Sequence, residues 1–232
     1  MSVTDEAIAR IREMIAEGRL KPGDRLPKEA DLAALLGLSR NSLREAVRAL
    51  SLIHVLDVRQ GDGTYVTSLE PERLLEAVGF MVELRHNSSL LEVFEVRRML
   101  EPAATARAAE LVTPEQLAEL EREMERAEAA ESLEELVEHD LQFHRMIVAA
   151  AGNQVLAALL VQLNSPTVRA RVWRGLTQDG AQARTLAEHR SIVAALSAGR
   201  PDLAHACALV HIAGVEEWLR ASVASVASTE SD

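Results

Sequence analysis

Apolar residues in the first 68 positions recur at helical spacing and then give way to a strand pattern. Ile8, Ile11, Met14 and Ile15 share one helical face, with Thr4 or Asp5 as the cap and Gly18 as the stop. Lys21-Pro22-Gly23-Asp24 reads as a turn. A second helix opens with Pro27 at its first position and turns Leu32, Ala33, Leu35 and Leu36 inward. A tight turn at Gly37-Leu38 leads to a third helix, capped by Ser39, whose packed face is Leu43, Ala46, Val47 and Leu50. Residues 55–59 and 64–66 read as strands joined through Gly61-Asp62-Gly63. Three helices and a hairpin predict a winged helix-turn-helix over residues 1–68.

Residues 69–71 read as a linker. Beyond it the pattern is helical throughout, over about 72–86, 88–111, 114–130, 132–150, 154–174, 180–198 and 201–226. Breaks fall at 86–88, Thr113-Pro114, Gly152-Asn153, Gly180 and 199–201, and Pro166 interrupts the fifth segment. No strand pattern or internal repeat occurs. The expected fold is mainly α: the winged domain, then an all-α antiparallel bundle of about seven helices over 72–227, with a frayed tail at 228–232.

Composition adds a division of charge. The chain carries 25 basic and 36 acidic residues, a net −11. Residues 1–68 hold ten of each and are neutral, so the remainder holds all of the excess acid. The acidic half is repelled by nucleic acid and should point away from it, while a neutral half must bind through locally placed arginines. Hydrophobic content of 48% with only 3% aromatic residues predicts a core of Ala, Leu and Val. No apolar run reaches the roughly 18 residues of a membrane span. The N-terminus lacks a signal-like apolar stretch, and the single Cys207 excludes an intrachain disulfide; together these fit a cytoplasmic protein.

The third helix opens on Arg40, Asn41 and Ser42, with Arg44 and then Arg48 on following turns. This is where a helix-turn-helix presents side chains to DNA. Arginine forks onto guanine O6 and N7, and asparagine pairs with adenine. Arg48 suits phosphate, and Gly61 at the wing tip allows close backbone approach. The alternative is a solvated basic face with Glu45. Residues 7–66 resemble the GntR family of bacterial regulators, through residues 22–27, 38–46 and 61–66. The resemblance implies a homodimer on a short palindromic operator in double-stranded DNA, with contacts from Arg40, Asn41, Ser42, Arg44 and the wing glycine. Three positions depart from the family pattern. Ala30 replaces an arginine that Lys28 substitutes only in part, His54 replaces a glycine before the hairpin, and Asp62 brings negative charge to the wing.

In the acidic half, Asp140 and His144 stand one helical turn apart, while His189 and His211 lie on two later helices. Inward convergence would make a His3Asp site suited to Zn²⁺, Ni²⁺ or Mn²⁺. Singly, each histidine reads equally as a core or surface residue. His139 is off the Asp140–His144 face, His205 is rotated from His211, and His54 and His86 sit at element ends. Residues 90–219 resemble the FCD ligand-binding domain through residues 95–101, 140–144, 152–153, 188–190 and 211–212. The extra helix before Ser88 resembles the FadR-type branch. The resemblance implies that Asp140, His144, His189 and His211 bind a divalent metal completed by a small carboxylate effector. It also implies that Arg97 faces that acid; pairing with Glu101 one turn away is the competing role. Arg169, Arg171 and Arg174 are further candidates whose direction is open.

The expected function is a ligand-responsive transcription regulator, a repressor in the commoner case, and not an enzyme. A metal-dependent enzyme using the His3Asp site and a regulator with a purely structural metal are the alternatives. No membrane partner is expected.

Overall fold

The computed structural model describes residues 2–84 and 88–229. Mainly helical, with one two-stranded sheet, the chain divides into two compact units, one up to Ala77 and one from Val78 onward.

In the first unit, α1 (Val3–Ala16) is capped by Ser2 rather than Thr4 or Asp5. The Ser2 hydroxyl accepts from the Asp5 N–H at 3.1 Å, and the Asp5 carboxylate accepts from the Ser2 N–H at 2.8 Å. Asp5 therefore serves as the third residue of a reciprocal capping box, one position that periodicity alone cannot assign. Helix α2 (Glu29–Leu36) starts after Lys28, so Pro27 lies just outside it, and Leu35 is 67% exposed rather than packed. The eight-residue helix is too short to bury more than its Leu32–Ala33 side fully. Gly37, at φ 68°, ends it, and α3 (Arg40–Leu52) begins with the Ser39 hydroxyl accepting from the Ser42 N–H. Strands β1 (Leu56–Arg59) and β2 (Gly63–Val66) pair antiparallel, Leu56 opposite Val66 and Arg59 opposite Gly63. Val55 falls outside β1 because its N–H bonds back to Leu50.

His54 has φ 59°, the left-handed conformation that makes this position one for glycine. The core gathers Ala7, Ile11, Leu32, Leu43, Ala46, Leu50, Leu56 and Val66 from all five elements. Truncating one of its leucines would cost about 2–5 kcal/mol. The recognition helix is thus held rigidly from its inner face while its outer face stays free.

The segment expected over 72–86 is two helices, α4 (Pro71–Leu74) and α5 (Glu76–Leu84), split at Leu75. Residues 85–87, where His86 and part of the expected break fall, lie outside the described residues, as do 230–232. The second unit continues with α6 (Ser88–Leu111), α7 (Pro114–Ala129), α8 (Leu133–Ala150) and α9 (Gln154–Asn164). Pro166 does break the next segment, through a 3-10 turn over Ser165–Thr167. Helix α10 (Val168–Thr177) follows, then α11 (Ala181–Ser197) and α12 (Pro201–Thr229). Helix α6 packs most extensively on α12. Ala104 and Ala108 on α6, and Ala204 and Ala208 on α12, are buried in one cluster, and such small residues one turn apart let helix axes approach closely. Among the described residues no helix is long and apolar enough to cross a membrane.

Candidate functional site

Two sets of side chains stand out. In the first unit, Arg40 and Asn41 project into solvent from the first turn of α3. Ser42 is half-buried, its hydroxyl 2.9 Å from that of Ser39. Lys28, Arg44 and Arg48 line one groove of about 450 Å³ between α2, α3 and the hairpin. Arg44 forks onto Glu29 at 2.7 and 3.3 Å, and Arg48 donates to Glu45 at 2.8 Å. Exposed pairs of this kind contribute little to stability and exchange partners readily. Gly61 is exposed at the hairpin tip with φ 77°.

Two features of this unit were absent from the sequence reading. Arg25 donates to the Asp62 carbonyl and lies over Gly63, where any Cβ would stand 2.5 Å from its Nε. The Asp62 carboxylate accepts from the Tyr65 hydroxyl at 2.9 Å, and Arg59 lies 4.3 Å from the Tyr65 ring centre. Asp62 is therefore tied into the wing's own framework. Ala30 is exposed at the start of α2 beside Lys28.

In the second unit, Asp140 and His144 from α8, His189 from α11 and His211 from α12 are all buried, and their ligand atoms lie within 4.8 Å of one another. His211 Nε2 is 3.3 Å from both His189 Nε2 and His144 Nε2. Asp140 Oδ1 is 3.4 Å from His189 Nε2 and 3.9 Å from His144 Nε2. The far sides of two rings are anchored: His144 Nδ1 is 3.1 Å from Glu101 Oε2, and His211 Nδ1 is 2.9 Å from Glu188 Oε2. A carboxylate only accepts, so each Nδ1 carries the proton and each Nε2 presents a bare lone pair. The His189 ring is fixed by stacking on Phe143, centroids 4.1 Å apart. Lone pairs and a carboxylate oxygen facing one another repel unless a cation lies between them. The donor set fits a divalent ion bound by nitrogen and oxygen, with supporting carboxylates of the kind that orient metal-ligating imidazoles.

Burial, then the neighbouring histidine and arginine charges, hold His189 and His211 well below the ordinary imidazole range, which favours the neutral ligating form. Burial alone would raise the Glu101 carboxyl, but Arg97 and His144 outweigh it and hold it well below the usual carboxylate range.

A cavity adjoins Asp140 and His211, with about 40 Å³ of room for the centres of water-sized groups. Arg97, Arg171 and Arg174 also line it. Arg97 lines the cavity while keeping the pairing with Glu101. It pairs with Glu101 at 2.6 and 3.3 Å, yet its Nη1 has no hydrogen-bond partner among the described residues. Arg171 pairs with Asp140 Oδ2, leaving Oδ1 toward the histidines. Arg174 Nε donates to Gln178 at 2.7 Å, and its buried Nη2 is unpartnered among the described residues. Arg169 is exposed. His139 bonds Glu123 at 2.7 Å, away from the cluster, and His205 stays outside it. Sequence reading missed Glu188 and the second partner of Glu101; the adjacency of Glu188 to His189 was the only signal for the former.

A winged helix followed by a helical unit with a buried ligand-type cluster defines a class of two-domain transcription regulators. The family model described as bacterial regulatory proteins, gntR family, matches residues 3–66, and that of the FCD domain matches residues 92–214. The chain belongs to the GntR family of regulators that carry an FCD domain. It is 31% identical over 212 residues to the HTH-type transcriptional regulator LutR of Bacillus subtilis (strain 168), across 89% of this chain and 96% of that one. It is 28% identical to the galactonate operon transcriptional repressor of Escherichia coli (strain K12), across 95% and 98%. Among solved structures, Streptococcus agalactiae GntR superposes with a TM-score of 0.71 at 29% identity, over 92% of this chain and 99% of that one.

Proposed function

We propose that the protein is a cytoplasmic, homodimeric repressor whose helical domain senses a small carboxylic acid through a bound divalent metal. The observation that carries this reading is the cluster of three imidazole Nε2 atoms and Asp140 Oδ1 beside a cavity lined by arginines. Asp140, His144, His189 and His211 would hold Zn²⁺, Ni²⁺ or Mn²⁺. The metal would supply an electrophilic anchor for the acid's carboxylate. Arg97 would orient that carboxylate through its free Nη1 while Glu101 keeps the guanidinium in place.

Arg40, Asn41, Ser42 and Arg44 would read the operator, with Lys28, Arg48 and the Gly61 backbone on phosphate. The exposed ion pairs of Arg44 and Arg48 support this, because phosphate can replace Glu29 and Glu45 at little cost. A homodimer doubles these contacts and compensates for the neutral charge of each winged unit. An acid that binds one arrangement of the bundle better than another changes operator affinity. The name of the Escherichia coli relative, a repressor of an operon for a sugar acid, agrees with this class of control.

Fluorescence anisotropy on the DNA upstream of the protein's own gene, with metal-loaded protein and a panel of hydroxy, keto and dicarboxylic acids, tests the reading. An acid should change operator affinity in the native chain and not in Asp140→Ala or His189→Ala. Tight DNA binding indifferent to every acid would leave a structural metal site. A folded protein that binds no DNA at low salt would overturn the regulator reading.

A further inference from the structure

The charges around the cavity can be counted. Arg97, Arg171 and Arg174 line it, and Asp140, Glu101 and Glu188 are the carboxylates bonded to its lining or to its histidines. Three cations face three anions, and ligating histidines are neutral. The metal-free site is therefore balanced, and a divalent ion leaves it with a charge of +2. Arg184 stands nearby but is exposed and screened. The surplus has a location. Arg97 is paired with Glu101 and Arg171 with Asp140, whereas Arg174 bonds only the neutral Gln178 among the described residues. Its Nη2, in a side chain 4% exposed, is a buried donor without a partner, and Arg97 Nη1 is a second one on a different helix. Glu188 acts on Arg174 only through space, so once the metal adds its charge, a ligand anion that bonds Arg174 directly gains what the protein alone forgoes.

We propose that the effector is a short organic dianion, one carboxylate taken by the metal and Arg97 and a second anionic group, carboxylate or phosphate, taken by Arg174. This rests on the metal-and-acid reading above and narrows it. The room beside the arginines suits an acid of a few carbons. Arg174 becomes a specificity residue, the group that separates a dianion from a monocarboxylate of equal length.

Isothermal titration of the full-length protein tests this, with metal stoichiometry measured separately by atomic emission. The probes are succinate, malate and phosphoglycolate against butyrate and 2-hydroxybutyrate. In the metal-loaded chain at least one dianion should bind ten or more times tighter than the matched monocarboxylate. Whether malate or phosphoglycolate leads identifies the second group. The preference should vanish in metal-free protein, where the site is already balanced. Arg174→Gln should bring the ratio below about three at unchanged metal stoichiometry, and Arg174→Lys should restore part of it. Fluorescence of Trp173, on the same helix as Arg174, gives a second readout of binding. A monocarboxylate that binds as well as the dianions, or an equal loss for both classes in Arg174→Gln, overturns the inference and leaves the metal-and-acid reading standing. If no acid of either class binds the metal-loaded protein, both fall.

Discussion

The two units solve opposite electrostatic problems. In the winged unit the basic side chains are exposed, and the ion pairs of Arg44 and Arg48 are made on the surface. In the bundle the charged groups are buried and fixed from behind, as Glu101 holds both Arg97 and His144. A surface that must meet a large polyanion works through partners it can give up cheaply. The buried cluster proposed to hold a metal and a small acid works through groups fixed from behind, because a buried charge without a partner is costly. The net charges follow the same division, neutral in residues 1–68 and −11 in the rest.

The strongest way to break this comparison is to strip the metal. At free metal about a thousand times its Kd, binding stabilises the bundle by about 4 kcal/mol. Chelation should therefore lower its melting temperature by roughly 10 °C for a unit of this size. Both tryptophans, Trp173 and Trp218, lie in the bundle, so their fluorescence during thermal unfolding follows that unit alone. An unchanged melting curve would contradict a metal held by the cluster.

Acid should come next. His189 and His211 titrate below the ordinary value near 6.5 in the folded chain, chiefly because burial disfavours the cation. Below pH 6.5 the unfolded chain binds protons that the folded chain does not. The stabilisation is thus fully present above that pH and is lost as pH falls toward the depressed values. Each such histidine is worth about 1.4 kcal/mol per pH unit, so metal-free bundle should lose up to about 2.8 kcal/mol per unit in denaturant titrations. Stability that rose on acidification would contradict the burial argument.

In the winged unit the expected effects are smaller and salt-dependent. Arg40→Ala should cost about 1–3 kcal/mol on its preferred operator, relax specificity at one base pair and leave folding unchanged. A loss that is uniform across sequences would make Arg40 a phosphate contact instead. The smallest effect concerns His54. Glycine there would relieve left-handed strain of about 1–2 kcal/mol. It would also add about 0.4–1 kcal/mol of unfolded-state freedom. The net gain is about 0.5 kcal/mol, offset further if the 3.0 Å contact of His54 with Glu76 matters. A clear destabilisation in His54→Gly would show that the His54–Glu76 contact outweighs the strain.

The winged unit was largely legible because its signals are local. The Ser39 cap, the Gly37 turn and the apolar rhythm of α3 are each set within a few residues. Its errors were local too: Ser2 rather than Thr4 caps α1, and Leu35 faces solvent, because helix ends and short helices are decided by one or two contacts. In the bundle, one-turn spacing placed Asp140 and His144 on a common face, the helical pattern offered His189 and His211 as partners on two later helices, and resemblance to the FCD domain favoured that set. By itself the sequence determined these residue types, the helices carrying them and the division of charge, since periodicity and composition require no knowledge of neighbours. Only the tertiary structure decided that three helices bring the four ligand atoms within 4.8 Å, that Glu101 and Glu188 fix two imidazole tautomers, and that Arg171 and Arg174 face the cavity while Arg169 does not. The rotation of each helix about its own axis is set by the packing of all its neighbours, and the 3-10 turn after Asn164 resets that rotation for α10.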